Sequence, residues 1–250
     1  PGRDTAGILA AAAAGDIQAL LIGGVEVDDL PDPEAAVAAL DLTPFVVSLE
    51  LRRSAVTDRA DVVFPVAPVA EKSGTFVNWE GRHRPFGAAL PAAATADMRV
   101  LAALADEVGV DLRLTDAATV QADLERLGSW QGARAAAPTV PPAEVAQPGP
   151  GDAVLAGWRM LLDEGRLQDG EPHLAGTARP AVARLSATTA SEIGCQEGDP
   201  VRISTDRGEL RLPVEVTEMP DRVVWVPLNS AGSVHKVLGA VGTTVRIEPA

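Results

Sequence analysis

Asn78, Glu80 and Arg82 alternate along an extended run that begins at Gly74 and takes in Gly81, so all three polar side chains can face one side. Such a face suits an anion, because the planar guanidinium fork of Arg82 matches phosphate oxygens. Glycine around an extended segment lets the backbone take φ > 0 or approach another group closely. The same residues also make a tight hairpin on a sheet edge, with Glu80 and Arg82 as an intra-hairpin ion pair worth ~0–1 kcal/mol if exposed. Glu71 and Lys72 then form a solvated turn. Metal chemistry has little to draw on. Cys195 is the one cysteine, which excludes an internal disulfide and a four-thiolate cluster, and His83, His173 and His235 lie far apart with no paired spacing. Behind a helix end at Gly194, Cys195 reads as a small apolar residue.

The elements that position these groups belong to a globular chain. At 250 residues and 46% hydrophobic content there is enough apolar material for one large or two ordinary domains. Aromatics are 3% and tyrosine is absent, so cores must be packed with small aliphatics. A net charge of -14 argues against a nucleic-acid partner, which would demand a basic patch. No apolar run approaches the ~20 residues that span a bilayer, since Ile8 to Ala14 is cut by Gly15 and Asp16, and no signal peptide opens the chain. The start at Pro1, without Met, reads as a fragment or a processed product.

The first half alternates helix and strand. Thr5 to Ala14 favours helix, Gln18 to Ile22 makes a strand leading into Gly23 and Gly24, and Asp32 caps a helix with Pro33 at its first position. Phe45 to Leu49 and Asp61 to Phe64 are two further strands, and strands separated by helices imply a parallel sheet. Met98 to Val108 is helical, and Thr115 caps a helix in which Val120, Leu124 and Leu127 share a face before Gly128. From Ser129 to Gly151 prolines and small residues mark a linker. Beyond it the period becomes two, in Val201 to Thr205, Glu209 to Thr217, Arg222 to Val226 and Thr243 to Ile247. One short helix, Ser186 to Gly194, is capped by Ser186 or by a Thr189 to Glu192 capping box. Short strands and tight turns argue a closed barrel. The expected division is therefore 1–128, linker 129–151 and barrel 152–250.

Two ordered motifs carry a resemblance. The run A-D-V-V-F-P (60–65) followed by E-K-S-G-T-F-V-N-W-E-G-R (71–82) resembles a segment of the molybdopterin oxidoreductase superfamily. The run A-S-E-I-G-C-Q-E-G-D-P-V-R-I-S-T-D-R-G (190–208) is similar to that superfamily's C-terminal domain, in the order the superfamily requires. The fold so implied is an α/β parallel-sheet segment followed by a mainly β double-psi barrel, the barrel being the part that grips a molybdopterin dinucleotide. Active members show G-x-N-P after the first strand, whereas here Gly24 is followed by Val25, Glu26 and Val27. A carboxylate in place of the amide loses a donor and adds charge where phosphates would come. A pterin-addressing segment near the end is replaced by Asn229 to His235.

These departures resemble most the family of the large iron-sulfur subunit, or G subunit, of bacterial NADH-quinone oxidoreductases (respiratory complex I), in its actinobacterial form. The resemblance then implies a structural part of the peripheral electron-transfer arm, without catalytic residues, metal or redox centre in this segment. Iron-sulfur clusters would lie elsewhere in the parent polypeptide and FMN elsewhere in the complex. The partners implied are other peripheral-arm subunits, on the cytoplasmic side of the inner membrane and without membrane insertion. Gly24, Glu26, Gly74, Asn78, Glu80 and Arg82 would line a vestigial cofactor pocket. If instead the chain resembles a dinucleotide-loaded oxidoreductase such as a formate dehydrogenase, the same six residues line a working pocket. A stand-alone binding module is the third possibility.

Overall fold

The computed structural model describes residues 2–91, 93–133, 136, 139 and 147–250. About half of the expected linker, 129–151, lies outside them. The chain forms two compact units, one made of Pro1–Val25 with Leu40–Val140 and the other of Glu26–Ala39 with Pro141–Ala250.

In the first unit α1 (Thr5–Ala13) is capped by Asp4 and followed by Gly15 at φ +80°. Strand β1 (Ala19–Gly23) comes next; α2 (Pro33–Leu42), which follows in the chain and belongs to the second unit as far as Ala39, has a backbone N–H at Ala35 that donates to Asp32 Oδ1 at 3.0 Å. β2 (Phe45–Glu50) and β3 (Val62–Pro65) complete a three-stranded parallel sheet among the described residues, in the order β1-β2-β3. Pro65 belongs to β3, where edge position spares it the need for an N–H. The connection from β2 to β3 differs from expectation, for it holds no helix. Turns pinned by reciprocal Ser54 and Thr57 hydrogen bonds carry it, with Val56 buried beneath them. Asp61 closes the connection by accepting the Val46 N–H through Oδ2 at 2.7 Å while its own N–H meets the Val46 carbonyl at 2.8 Å.

β4 (Gly74–Val77) and β5 (His83–Phe86) pair antiparallel as a sheet of their own, not on the edge of the parallel one. α3 (Asp97–Glu107) sends Val100 and Leu104 onto Leu49, Val66, Val47 and Phe64, which covers part of one sheet face. α4 (Ala117–Leu127) is capped by Asp116, one residue later than expected. The Asp116 carboxylate accepts from Thr119 N at 2.7 Å, and that bond leads the causes that lower its pKa. The Thr115 hydroxyl meets that of Thr119 instead.

In the second unit six strands close into a double-psi barrel: β6 (Asp152–Trp158), β7 (Ala183–Leu185), β8 (Pro200–Ser204), β9 (Glu209–Val216), β10 (Val223–Pro227) and β11 (Thr244–Pro249), linked in the order β10-β6-β11-β8-β9-β7. Two pairings, β6 with β10 and β7 with β9, are parallel. Alternation fills the interior. Ala153 and Leu155, Val201 and Ile203, Leu212 and Val214, Val224 and Val226, Val245 and Ile247 all point inward, and Cys195 joins them. Burial pushes the Cys195 thiol pKa up, with the Asp199 carboxylate adding to the effect.

β6 and β7 lie outside the sequence expectation, as do the short helices α5 (Pro172–Ala175) and α7 (Val234–Val237) on either side of α6 (Ala187–Glu192). Ser186 alone caps α6, accepting from Thr189 N at 3.1 Å. The Thr189 hydroxyl turns to Arg222 N at 2.7 Å, so the second capping arrangement does not form. Among the described residues no helix is long and apolar enough to cross a membrane.

Candidate functional site

At the tip of the β4–β5 hairpin the Asn78 side chain is committed to its own backbone. Its Oδ1 accepts from Glu80 N at 3.1 Å and Arg82 N at 2.8 Å, an Asx-type closure that Gly81 completes at φ +78°. Glu80 and Arg82 form an ion pair at 3.2 Å on the exposed tip, beside Trp79, which is 94% exposed. Gly74 meets the Phe86 ring, so that a Cβ there would stand 2.9 Å from the ring edge, and Phe86 in turn stacks on Phe76 with centroids 4.6 Å apart. The glycine serves close approach rather than a positive φ. Lys72 is not a solvated turn residue, for its ammonium pairs with Asp97 at the start of α3.

Gly24 follows β1 at φ +61°, its N–H donating to the Leu49 carbonyl at 3.2 Å. Of the six residues singled out from the sequence, Gly74, Asn78, Glu80 and Arg82 thus share one hairpin, and Gly24 lies elsewhere in the same unit. Glu26 belongs to the barrel unit, where its carboxylate contacts the Arg166 guanidinium at 2.7 Å.

Glu26 opens a cleft of about 220 Å³ on that unit. Five carboxylates, from Glu26, Asp28, Asp29, Glu164 and Asp169, line it together with Arg166, Asn229 and Ser233. Arg166 also holds Asp169 at 3.0 Å; burial works against its charge, but the two carboxylates outweigh that and raise its pKa. Asp29 pairs with Arg159, which touches Asp163 at 3.6 Å on its other side. Asp28 takes Lys236 at 3.2 Å. Ser233 Oγ donates to the Asp28 carbonyl at 2.6 Å, and Gly232 N donates to Glu164 Oε2 at 3.1 Å. Sequence reasoning names Glu26 and the Asn229 segment but misses Asp28, Asp29, Arg159, Arg166 and Lys236. The complementary charges are visible in the chain, yet Asp28 and Lys236 are 208 residues apart and nothing local pairs them.

A second groove, on the first unit and about 250 Å³, is framed by Gly74, Val77, His83, Met98, Val120 and Leu124 and is chiefly apolar. Among the described residues no group of three or more His, Cys, Asp or Glu side chains is placed to hold a metal ion.

Comparison with known proteins gives the frame for this geometry. Residues 1–107 match the family described as Molybdopterin oxidoreductase, and residues 168–246 match the Molydopterin dinucleotide binding domain. The chain is 58% identical to the G subunit of the NADH-quinone oxidoreductase of Mycobacterium tuberculosis over 98% of its own length, and 56% identical to that of Streptomyces coelicolor over 100%. It spans 31% and 30% of those relatives, so about a third of their length is represented. Among solved structures, the acetylene hydratase of Pelobacter acetylenicus shares the fold with a TM-score of 0.61 at 16% identity, covering 98% of this chain and 46% of the hydratase. Both family matches fall in the order the two sequence motifs announced, and the G-subunit relatives run through both: the chain belongs to the molybdopterin oxidoreductase superfamily, in the branch formed by the G subunits of NADH-quinone oxidoreductases.

Proposed function

We propose that this segment is a structural, non-catalytic part of the peripheral electron-transfer arm of a proton-pumping NADH-quinone oxidoreductase, with no redox centre of its own. The observation that carries the reading is the 56–58% identity to G-subunit proteins, sustained across nearly the whole chain. Iron-sulfur clusters belong to other parts of the parent polypeptide, and FMN to another part of the complex. The partners are other peripheral-arm subunits on the cytoplasmic side of the membrane.

A molybdopterin dinucleotide, implied by the superfamily, fits the barrel unit poorly. Its pyrophosphate is anionic and needs cations or free N–H donors. The cleft offers five carboxylates, and Arg166 is engaged by Glu26 and Asp169. A like charge beside a phosphate costs energy rather than supplying it. The hairpin adds no ready clamp, since Arg82 faces Glu80 and Asn78 is turned onto its backbone.

The second reading, a dinucleotide-loaded oxidoreductase such as a formate dehydrogenase, is favoured by the dinucleotide-binding family match over residues 168–246. Metal analysis of the purified chain, together with fluorescence of oxidised pterin released by acid, separates the two. The expected result is no stoichiometric molybdenum, iron, zinc or pterin. About one metal or one pterin per chain would establish the second reading in its place.

A further inference from the structure

Arg166 lines the cleft of the barrel unit, Arg159 and Lys236 reach acids of its lining, and one four-residue stretch answers all three cations. Arg166 receives Glu26, Arg159 receives Asp29 and Lys236 receives Asp28. The stretch is fastened by its backbone as well, through Ser233 Oγ on the Asp28 carbonyl at 2.6 Å, and just past it Arg207 Nη1 donates to the Pro31 carbonyl at 3.4 Å. Val27, at 3% exposure, anchors it between the charges. Guanidinium and ammonium groups are the groups that neutralise phosphate oxygens at a protein surface. Here the chain's own carboxylates occupy each of them.

We infer that residues 26–29 are a built-in counter-anion, a strap that takes the place of a phosphate-bearing ligand on the barrel and closes the cleft to it. The inference deepens the reading that this segment carries no dinucleotide and rests on that reading. Charge balance shows how the closure works. With the strap in place, Glu26, Asp28 and Asp29 add to Asp163, Glu164 and Asp169, so acids outnumber the three cations two to one. Without the strap's charges the two signs are equal: Arg166 keeps Asp169, Arg159 keeps Asp163, and the excess negative charge that repels an external anion is gone. The strap pairs are half-exposed, between 31% and 54% at the side chains, so salt screens them.

The test is titration of the full chain with inorganic pyrophosphate, for the native sequence and for the Glu26→Gln, Asp28→Asn, Asp29→Asn triple variant, with circular dichroism to verify folding. The triple variant is expected to bind roughly tenfold tighter or better, and adding Arg166→Ala should remove the gain. A folded triple variant with no gain would overturn the inference. Should the variant not fold, hydrogen exchange of the native chain decides. Faster exchange of the amides of residues 27–30 in high salt supports an electrostatic strap, and unchanged exchange refutes it. Pterin or dinucleotide bound to the native chain would instead defeat the underlying reading, an outcome distinct from a triple variant that stays inert.

Discussion

Gly74 and Arg82 sit a few residues apart in the same motif and answer to different physics. A side chain at position 74 would have to displace the Phe86 ring, 2.9 Å from where its Cβ would stand, and through it the stacked Phe76. Gly74→Val should therefore cost about 1–3 kcal/mol, seen as a lower midpoint in denaturant. Arg82→Ala removes a guanidinium whose side chain is 61% exposed and should change stability by less than about 0.5 kcal/mol. Equal midpoints for Gly74→Val and the native chain would mean that the ring yields freely. The sequence shows that the glycine matters but not how, because the reason lies on the facing strand, where Phe86 is its register partner. Cys195 adds a pH prediction. Its thiol is held protonated by burial, so as pH rises past the ordinary thiol range the unfolded chain gives up its proton before the folded chain does. Stability should fall on the alkaline side, and Cys195→Ala should flatten that limb. An unchanged limb would assign the loss to other groups.

The parallel strands of the first unit are readable because each is a compact apolar run between breakers, and a sheet buried on both faces demands such runs. β6 escapes the same reading. Its sequence, D-A-V-L-A-G-W, has only Ala153 and Leu155 fully buried on the inner face and a glycine where Leu228 packs close. α5 and α7 are four residues long, too short for any period to register. The cap of α6 is legible, and its wider role is not. Ser186 Oγ accepts from Thr189 N and donates to Asp221 Oδ1 at 2.6 Å, so one hydroxyl joins the helix to the turn before β10. Just beyond, Arg222 takes φ +54°, unusual for a residue with a Cβ, and is held there by Thr189 Oγ1 and by its Glu192 ion pair. Ser186→Ala should cost about 1–2 kcal/mol, since it removes a cap and leaves an acceptor at Asp221 without its donor. Ser186→Thr should recover much of the loss. A silent Ser186→Ala in urea unfolding would show that water replaces the hydroxyl at both partners.

At the scale of the whole molecule the two units face opposite problems with sheet edges. The barrel has solved its problem internally, because closure pairs every strand and the core cluster is drawn entirely from residues 153–247. Glu26–Ala39 adds half-exposed ion pairs, each worth about 0–1 kcal/mol, and the buried Val27, but contributes no residue to the barrel's core cluster, so the barrel should fold without it. In the first unit β1 and β3 are edge strands of a three-stranded parallel sheet among the described residues. Leu21, Phe45 and Val63 on that sheet are 55%, 45% and 41% exposed. Parallel sheets are ordinarily covered on both faces, and apolar residues left in water favour association. Expressed separately, residues 147–250 should therefore unfold in one cooperative calorimetric transition. Residues 2–128 should give a broad transition and associate as concentration rises, seen as a concentration-dependent mass in light scattering. A sharp, concentration-independent transition for 2–128 would mean that the sheet with α3 upon it is already stable enough to stand alone, and the exposed Phe45 and Val63 would then need no further cover.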